Sequence, residues 1–284
     1  MADLIYSRRT DAQELSMDEI ARLAPAVFTQ GKNPHLTDRY APVNTLDTIE
    51  VLRGYGYVPV QAAQKKPRKN DPAYTQHMVA FAHHYNLLDT DRPEIIAYNS
   101  HDGKSSLRLF AGFYRGICSN GLVAGEGFEG RIKHYKASVA NLEELFEDVA
   151  HTIPKMSERV ERMKSVSISQ EDAINFAYNA SALRWEMMPE EYKDGELRGT
   201  YTDRHTGSTL NRVRRLEDIN YDLWTVYNRV QESLIRGGAQ VISFTDRKPY
   251  GVRRRARPVS SVADSIKINR QLWDMASDYM QEAA

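Results

Sequence analysis

The sequence predicts an α+β fold in which an antiparallel β-meander from the first half of the chain packs against helices from the second half. Two observations lead to this prediction. Short segments with alternating apolar residues, separated by turn-rich stretches, are concentrated between residues 57 and 118. Segments with apolar residues at three- and four-residue spacing dominate residues 138–280. Because strands and helices are grouped rather than alternated, the order argues against a parallel βαβ architecture.

The strands of the predicted meander follow one another along the chain. Pro59 lacks a backbone N–H, so its strand favours an edge position. The turn at residues 99–105 is rich in Asn, Ser, Asp and Gly, which is typical of a tight connection. The predicted strands are residues 57–62, 76–84, 94–98 and 106–118.

The predicted helices are identified by apolar periodicity and by capping residues. Ser16 with Glu19 forms a capping box, and Pro154 is expected to interrupt the helical pattern after residue 138. Polar residues 193–214 and 246–258 lack an apolar period and are predicted as loops. The predicted helices are residues 16–28, 46–53, 138–166, 169–183, 218–236 and 262–280. We expect Trp185, Trp224 and Trp273 to lie in the core.

The domain organisation predicted from this order is an N-terminal helix and loop at residues 1–40, followed by one α+β domain over residues 41–284. Its sheet falls mainly in residues 57–118 and its helices mainly in residues 138–280.

Composition narrows the class of protein. The chain has 284 residues, of which 41% are hydrophobic and 27% charged, and this is a globular composition with enough length for a core. Cys118 is the single cysteine, which excludes an intrachain disulfide and a Cys-based zinc cluster, and we expect it to be a buried structural thiol. The N-terminus lacks a signal-peptide pattern, and we expect a cytosolic protein with no membrane partner.

The zero net charge conceals an uneven distribution. Residues 198–257 contain 13 Lys/Arg and six Asp/Glu, a net charge of +7, whereas residues 1–197 carry a net charge of −5. Screening confines each patch to roughly 8–10 Å, so local clusters matter more than the total.

Cationic residues crowd three segments that are predicted as loops. Cations beside an aromatic ring can follow a phosphate backbone while a base stacks on the ring. The alternative is solvated charge, or ion pairs with the acidic first 197 residues. The candidate nucleic-acid-binding residues are Lys65, Lys66, Arg68, Lys69, Arg214, Arg247, Lys248, Tyr250, Arg253, Arg254, Arg255 and Arg257.

A second group of polar residues lies at the ends of predicted strands, where side chains could converge on a ligand. The alternative is ordinary turn chemistry, in which Asn and Asp bond to nearby backbone. His77 and His83 are separated by roughly 20 Å along one strand and cannot share a metal ion. We therefore predict no metal, no cofactor and no catalytic residue. The candidate polar residues are His77, Asn99, His101, Asp102, Arg115 and Asn120.

Several strings occur together in a fixed order: NSHDG at 99–103, RGICSNGL at 115–122, LWTVYNRVQE at 223–232, RGG at 236–238 and RARP at 255–258. Together they resemble a family of phage- and plasmid-borne proteins, also found in prophages, whose domain carries only an unknown-function label. The resemblance covers residues 40–280. It implies a mobile-element product in the bacterial cytoplasm and supplies no catalytic residues.

The leading functional hypothesis is a non-enzymatic nucleic-acid-binding protein that acts on single-stranded DNA during recombination or replication. The order of helix, meander and long helix is similar to that of phage single-strand annealing proteins, which suggests a homo-oligomer by fold-level analogy. One alternative is a counter-defence protein that binds a host protein. Another is a metal-dependent nuclease or hydrolase, which requires His77, Asp102, Asn120 and His134 to cluster.

Overall fold

The structure, a computed structural model, describes residues 4–8, 13–65, 71–89, 91–115, 120–123, 129–135, 139–193 and 195–282. Its α+β class, with an antiparallel sheet in the first half and helices concentrated in the second, confirms the predicted class. Contacts divide the chain into two compact units. The first comprises Met1–Ser157 with Ser260–Ala263, and the second comprises Glu158–Val259 with Asp264–Ala284. The boundary predicted after residue 40 stays a prediction.

The first unit is built on a seven-stranded antiparallel sheet with the order β1-β2-β3-β4-β5-β6. The seventh strand, β7, pairs with β5 along the same edge as β6, because β6 covers one end of β5 and β7 the other. The strands are β1 Leu4–Arg8, β2 Tyr57–Lys65, β3 His77–His83, β4 Asp91–Asn99, β5 Leu107–Arg115, β6 Asn120–Val123 and β7 Glu129–Ile132.

Pro59 lies on a part of β2 that has no β1 neighbour. The β1 register stops at Gln61, and the ladder with β3 is bulged between Pro59 and Gln61. The missing N–H therefore breaks no ladder bond, while the Pro59 carbonyl accepts a hydrogen bond from Leu15 N at 2.7 Å.

The core of the first unit lies on this sheet. Consecutive residues of β3, β4 and β5 are buried, so both strand faces are covered in the middle of the sheet. Gly130 permits a close approach of α3 to β7, because a Cβ atom at this position would overlap the Leu145 side chain. Helices α1 and α2 contact β2, and α3 contacts β5 and β7. These helices are α1 Met17–Leu23, α2 Thr45–Gly54 and α3 Val139–Ala150.

The second unit combines helices with a four-stranded sheet of order β11-β10-β9-β8, in which only the short β8–β9 pair is parallel. Its longest buried element is α7, where every residue from Leu223 to Leu234 is buried. The strands are β8 Glu186–Met187, β9 Gly199–Thr202, β10 Gln240–Thr245 and β11 Lys248–Arg255. The helices are α4 Ile153–Ser165, which begins in the first unit, α5 Gln170–Ser181, α6 Arg204–Leu210, α7 Leu223–Arg236 and α8 Val262–Glu282.

Capping signals placed several helix ends correctly. The Ser16 capping box is present, and Ser169 caps α5. The helical pattern breaks before Pro154, which is the second residue of α4. Helix α7 instead begins one residue after Asp222, whose side chain accepts a hydrogen bond from Thr225 N at 2.8 Å. It ends at Gly237, where φ is +76° and a Cβ atom would lie 2.5 Å from the Ala256 carbonyl oxygen.

Both long loop predictions are wrong over part of their length. Residues 193–214 contain β9 and α6, and α6 begins with a capping box between Asp203 and Thr206. Residues 246–258 contain β11, which pairs with β10 from Gln240↔Arg255 to Thr245↔Lys248. The spacing of apolar residues does not predict these elements, because most of their residues are polar. Backbone pairing between strands and helix caps stabilise them instead. None of the described helices has the length and apolarity needed to cross a bilayer.

Candidate functional site

A basic pocket lies in the second unit, where four segments of the chain meet. These segments are the end of α6, the turn that follows it, the glycine pair after α7 and the first register pair of the β10–β11 ladder. The cavity has a volume of about 220 Å³. Its lining residues are Thr209, Arg212, Arg214, Gly238, Gln240 and Arg255.

The strand end of the pocket is attached to α6 by side-chain hydrogen bonds. Gln240 N–H donates to Thr209 Oγ1 at 2.9 Å, and Thr206 Oγ1 donates to the Gln240 carbonyl at 2.7 Å. Gln240 lies directly opposite Arg255 in the ladder. These bonds therefore hold the Arg255 position next to the end of α6.

The opposite wall is formed by the glycine pair. Gly238 has a φ of +94°, which a residue with a side chain rarely adopts, and its ideal Cβ position is 3.8 Å from Arg214 Nη2. Gly238 N–H donates to the Ala256 carbonyl at 2.9 Å. Arg214 Nη2 donates to the Gly237 carbonyl at 3.4 Å, so Arg214 lies against the chain after α7.

A single buried carboxylate organises the arginines beside the pocket. Glu232 is 5% exposed and lies 3.3 Å from Arg214, 2.8 Å from Arg215 and 3.5 Å from Arg236. Burial alone would raise the pKa of Glu232, but hydrogen bonds from Arg215 and the neighbouring positive charges hold its pKa below the usual value. The carboxylate is thus ionised, and it fixes Arg214 at the pocket wall.

The pocket retains an excess of positive charge. Arg212 and Arg255 have no ion-pair partner among the described residues, and both are exposed. With Arg214, Arg215 and Arg236 they make five guanidinium groups. Glu232 is shared by Arg214, Arg215 and Arg236, and Asp218 pairs with Arg215, so Arg212 and Arg255 add two positive charges that no carboxylate of the described residues pairs. An anion in the pocket would relieve this repulsion.

The β10–β11 hairpin adds exposed cations to the same unit. Arg253 forms an ion pair with Asp203, and Arg254 Nη2 donates to Thr200 Oγ1 at 2.9 Å. Arg247 and Lys248 of the hairpin, and Arg257 just after it, are exposed and have no ion pair within the described part of the chain. Tyr250, between them, is 75% exposed. One of the three consecutive arginines, Arg253, is therefore neutralised by a carboxylate.

The first basic cluster from the sequence belongs to a different unit. Lys65 is the last residue of β2 and is half-buried. Lys66, Arg68 and Lys69 lie outside the described residues.

Part of the predicted polar group converges at one end of the first sheet. Asn99 Nδ2 donates to Thr45 Oγ1 at 3.0 Å, and the Thr45 hydroxyl lies 2.7 Å from His77 Nε2. His77 Nδ1 is 2.9 Å from the Thr75 carbonyl, which can only accept, so Nδ1 carries the proton and Nε2 accepts from Thr45. Burial lowers the pKa of His77 to about 4. His77 is a neutral structural residue with both nitrogens used.

Two further histidines lie beside His77. The rings of His77 and His101 are 5.5 Å apart, and those of His101 and His134 are 6.1 Å apart. His134 Nδ1 accepts a hydrogen bond from Val43 N at 2.9 Å. The His101 ring is fully buried, and its nitrogens make no hydrogen bond with any described residue. Burial, with the neighbouring His77 and His134, lowers the pKa of His101 to about 3.

Asp102 has a local role in the turn after β4. Its Oδ1 accepts hydrogen bonds from Ser100 Oγ at 2.7 Å and from Lys104 N at 3.0 Å. Asn99 Oδ1 likewise accepts from Ser100 N at 2.8 Å. These bonds are the turn chemistry considered as the alternative for this segment.

The remaining two candidate polar residues lie at the opposite end of the sheet. Arg115 is the last residue of β5 and pairs with Asn120 in the ladder, whereas Asn99 lies next to the start of β5. The two ends of β5 are separated by roughly 26 Å at the usual strand rise. The set His77, Asp102, Asn120 and His134 therefore does not form one cluster. In the part of the chain that the structure describes, no three His, Cys, Asp or Glu residues could hold a metal ion.

The core prediction for the tryptophans is confirmed for Trp224 and Trp273, which are 3% and 0% exposed. Trp185 is only half-buried, after the end of α5, with the Arg184 guanidinium 4.5 Å from its ring centroid. Cys118 lies outside the described residues.

Comparison with known proteins places the chain in a family. A family model described as a domain of unknown function, DUF932, matches residues 34–273. The UPF0380 protein YfjQ of Escherichia coli strain K12 is 31% identical over 272 residues, which cover 94% of this chain and 92% of the relative. The UPF0380 protein YafZ of the same strain is 32% identical over 266 residues, covering 92% of this chain and 90% of the relative. No solved structure matches the chain.

The chain therefore belongs to the DUF932 family. The resemblance inferred from the strings is confirmed to this extent, while a phage or plasmid origin stays a prediction.

Sequence reasoning missed two residues that define the pocket. Arg212 falls in the predicted loop at residues 193–214 but is not among the candidate binding residues, and Glu232 falls in the predicted helix at residues 218–236 with no further role. The signal that could have indicated this carboxylate is the position of Glu232, in a helix of otherwise apolar periodicity and just before the RGG string at residues 236–238. A carboxylate in a buried helix needs a cationic partner, and arginine is the nearest candidate.

Proposed function

We propose that this protein binds nucleic acid through the arginine pocket and the β10–β11 hairpin of its second unit, with single-stranded DNA as the favoured ligand. The observation that carries the proposal is the convergence of Arg212, Arg214 and Arg255 on one pocket with too few carboxylates to neutralise them. Guanidinium groups bind phosphate oxygens through paired N–H donors, which makes arginine well suited to this role.

The hairpin supports a single-stranded ligand. Tyr250 exposes three quarters of its surface (75%) among the cations Arg247 and Lys248. An exposed ring of this kind can stack on a base, whereas bases in a duplex are already stacked on one another. Cations and a stacking ring on one hairpin therefore favour a strand whose bases are free.

The family resemblance supplies the proposed biological setting. The strings at residues 99–103 and 223–238 are similar to those of phage- and plasmid-borne proteins. We propose a mobile-element protein that acts in the bacterial cytoplasm, in recombination or replication, as a homo-oligomer on the strand. The counter-defence hypothesis, with a host protein as partner, is the outcome if binding to DNA is absent.

The test is the salt dependence of binding, measured by fluorescence anisotropy with a labelled 20-nucleotide strand and with the matching duplex. Each phosphate contact on a single strand contributes a slope of about −0.7 in log affinity against log salt. Replacing both Arg212 and Arg255 by Ala should flatten the slope by about 1.4, and Tyr250→Ala should weaken single-strand binding by ~1–3 kcal/mol with the slope unchanged.

A matched control is available on the same unit. Arg204 is exposed but is paired with Glu171 at 3.1 Å and with Asn175 at 3.0 Å. Arg204→Ala removes one positive charge away from the pocket, and the slope should change little. Equal slopes for the wild type and the Arg212/Arg255 variant would contradict the proposed interface, and absence of binding to either DNA would contradict the function.

A further inference from the structure

We propose that the arginine pocket is a binding site for a phosphate monoester and that, given the proposed function, it holds the phosphorylated end of a DNA strand. That the ligand is a DNA strand rests on the proposed function. The chemistry of the site, a doubly charged terminal phosphate, rests on the pocket alone.

The charge of the pocket matches a monoester better than a backbone phosphate. A phosphate monoester carries about −1.5 to −2 at pH 7, whereas a backbone diester carries one negative charge. Arg212, Arg214 and Arg255 line the cavity, and two of them, Arg212 and Arg255, have no carboxylate partner among the described residues. A dianion therefore neutralises more of the unpaired charge than a monoanion can.

The size of the cavity also fits a terminal group. Its volume of about 220 Å³ is several times the ~30 Å³ that one water occupies in the liquid. It is smaller than the ~300–1,000 Å³ typical of pockets that enclose a drug-sized ligand. The cavity thus has room for a phosphate with part of its sugar, while the base remains outside.

The pocket brings together residues from four separate segments of the second unit. Walls come from Thr209 on α6, from the turn at residues 212–214, from Gly238 and from the Gln240–Arg255 pair.

The donors available to the ligand are the guanidinium groups. Thr209 Oγ1 is used within the fold, because it donates to the Thr206 carbonyl at 2.9 Å and accepts from Gln240 N. Gly238 N–H is also used, by the Ala256 carbonyl. Arg212 and Arg255 have no carboxylate partner among the residues described, so their N–H donors can meet phosphate oxygens. Glu232 acts as a positioning residue because it holds Arg214.

The experiment compares four labelled DNA strands of one sequence at a fixed salt concentration. The first carries a 5′-phosphate, the second a 5′-hydroxyl and the third a 3′-phosphate. The fourth is one nucleotide longer and carries a 5′-hydroxyl, so it adds a backbone phosphate without adding a terminal one. Inorganic phosphate and a nucleoside 5′-monophosphate serve as competitors and, separately, as additives in thermal unfolding.

We expect one phosphorylated end to bind about tenfold tighter than the hydroxyl strands, which is the effect of one additional charge-assisted contact. The longer hydroxyl strand should not reproduce this preference. Replacing Arg212 and Arg255 by Lys keeps the charge but removes the paired donors. In this variant the ratio of the affinities for the phosphorylated and hydroxyl strands should fall toward one, whereas Arg204→Ala should keep the tenfold ratio.

The outcomes separate the two proposals. Salt-dependent binding with equal affinity for phosphorylated and hydroxyl strands overturns the monoester site and leaves the nucleic-acid function standing. Stabilisation by the nucleoside monophosphate without binding of any strand supports the monoester site and overturns the strand as its ligand. If neither the strands nor the phosphate compounds interact with the pocket, both proposals are wrong.

Discussion

Acidification should destabilise the first unit selectively, because its buried histidines are held neutral. The folded-state pKa is about 4 for His77 and about 3 for His101, both lowered by burial. The pKa of His134 is also lowered by burial. A lowered histidine pKa means that the folded state resists protonation while the unfolded chain binds protons near pH 6.5. Stability is therefore complete above pH 6.5 and is lost as the pH falls from there toward 4.

The size of the effect follows from the two numerical pKa values. Between pH 7 and pH 5 an unfolded histidine becomes almost fully protonated, whereas His77 and His101 stay largely neutral in the fold. Each then costs about 2 kcal/mol at pH 5, or ~4 kcal/mol together if they titrate independently. This is a large share of the ~5–15 kcal/mol that stabilises a typical domain. His134 acts on both rings, and Asp102 and Tyr40 in turn lie against His134.

The two units can be followed separately in one experiment. Trp185, Trp224 and Trp273 are the three tryptophans of the chain, and all belong to the second unit. Tryptophan fluorescence therefore reports unfolding of the second unit. Hydrogen exchange of peptides from residues 71–115, measured by mass spectrometry, reports opening of the first, after correction for the pH dependence of intrinsic exchange. We expect the opening free energy of the first unit to fall by about 4 kcal/mol between pH 7 and pH 5.

Two variants test the assignment to the histidines. His101→Leu removes a ring whose nitrogens have no described partner and replaces it with an apolar side chain of similar size, so the pH-dependent loss should be halved to ~2 kcal/mol. His35→Gln is the control, because His35 is exposed in the same unit. The reasoning is refuted if the opening free energy is the same at pH 7 and pH 5, or if His101→Leu and His35→Gln have the same pH dependence as the wild type.

Two predictions concern the second unit. Trp224 is buried and stacks on Tyr227 with a centroid distance of 5.7 Å, so Trp224→Ala should cost ~3–5 kcal/mol in chemical unfolding followed by circular dichroism. An unchanged unfolding midpoint would instead indicate a ligand-stacking role for this ring. Glu232→Gln leaves Arg214, Arg215 and Arg236 without their common carboxylate and should cost ~1.5–3 kcal/mol, because the three guanidinium groups remain partly exposed to water. Phosphate should stabilise the wild type more than this variant, because Glu232 holds Arg214 at the pocket wall, and an equal response of the two proteins would contradict the link between Glu232 and the pocket.

Local signals in the sequence determined the elements that carry them. The box Ser16–Glu19 and the cap Ser169 placed two helix starts, because a side chain that satisfies free backbone N–H groups acts within three residues. Alternation placed β3 and β5 for a similar reason, since side chains on one strand face recur every second residue.

Polar elements escaped the same reasoning. Strand β11 is mostly exposed along its length, so its sequence has no alternation of apolar and polar residues that would predict a strand. Its ladder with β10 is made by backbone groups, which every residue type supplies. The sequence therefore predicts a loop where the structure has the second strand of a hairpin.

The sequence by itself determined which residues are charged, which segments repeat with a helical or strand period, and that the cations concentrate in residues 198–257. Tertiary structure alone decided which charges remain unpaired. Arg253 meets Asp203 across 50 residues and is neutralised, whereas Arg212 and Arg255 meet at one pocket without a carboxylate partner among the described residues. The physical reason is that ion pairing depends on distances of a few ångströms, which the packing of α6, α7 and the β10–β11 ladder sets and which sequence separation does not encode.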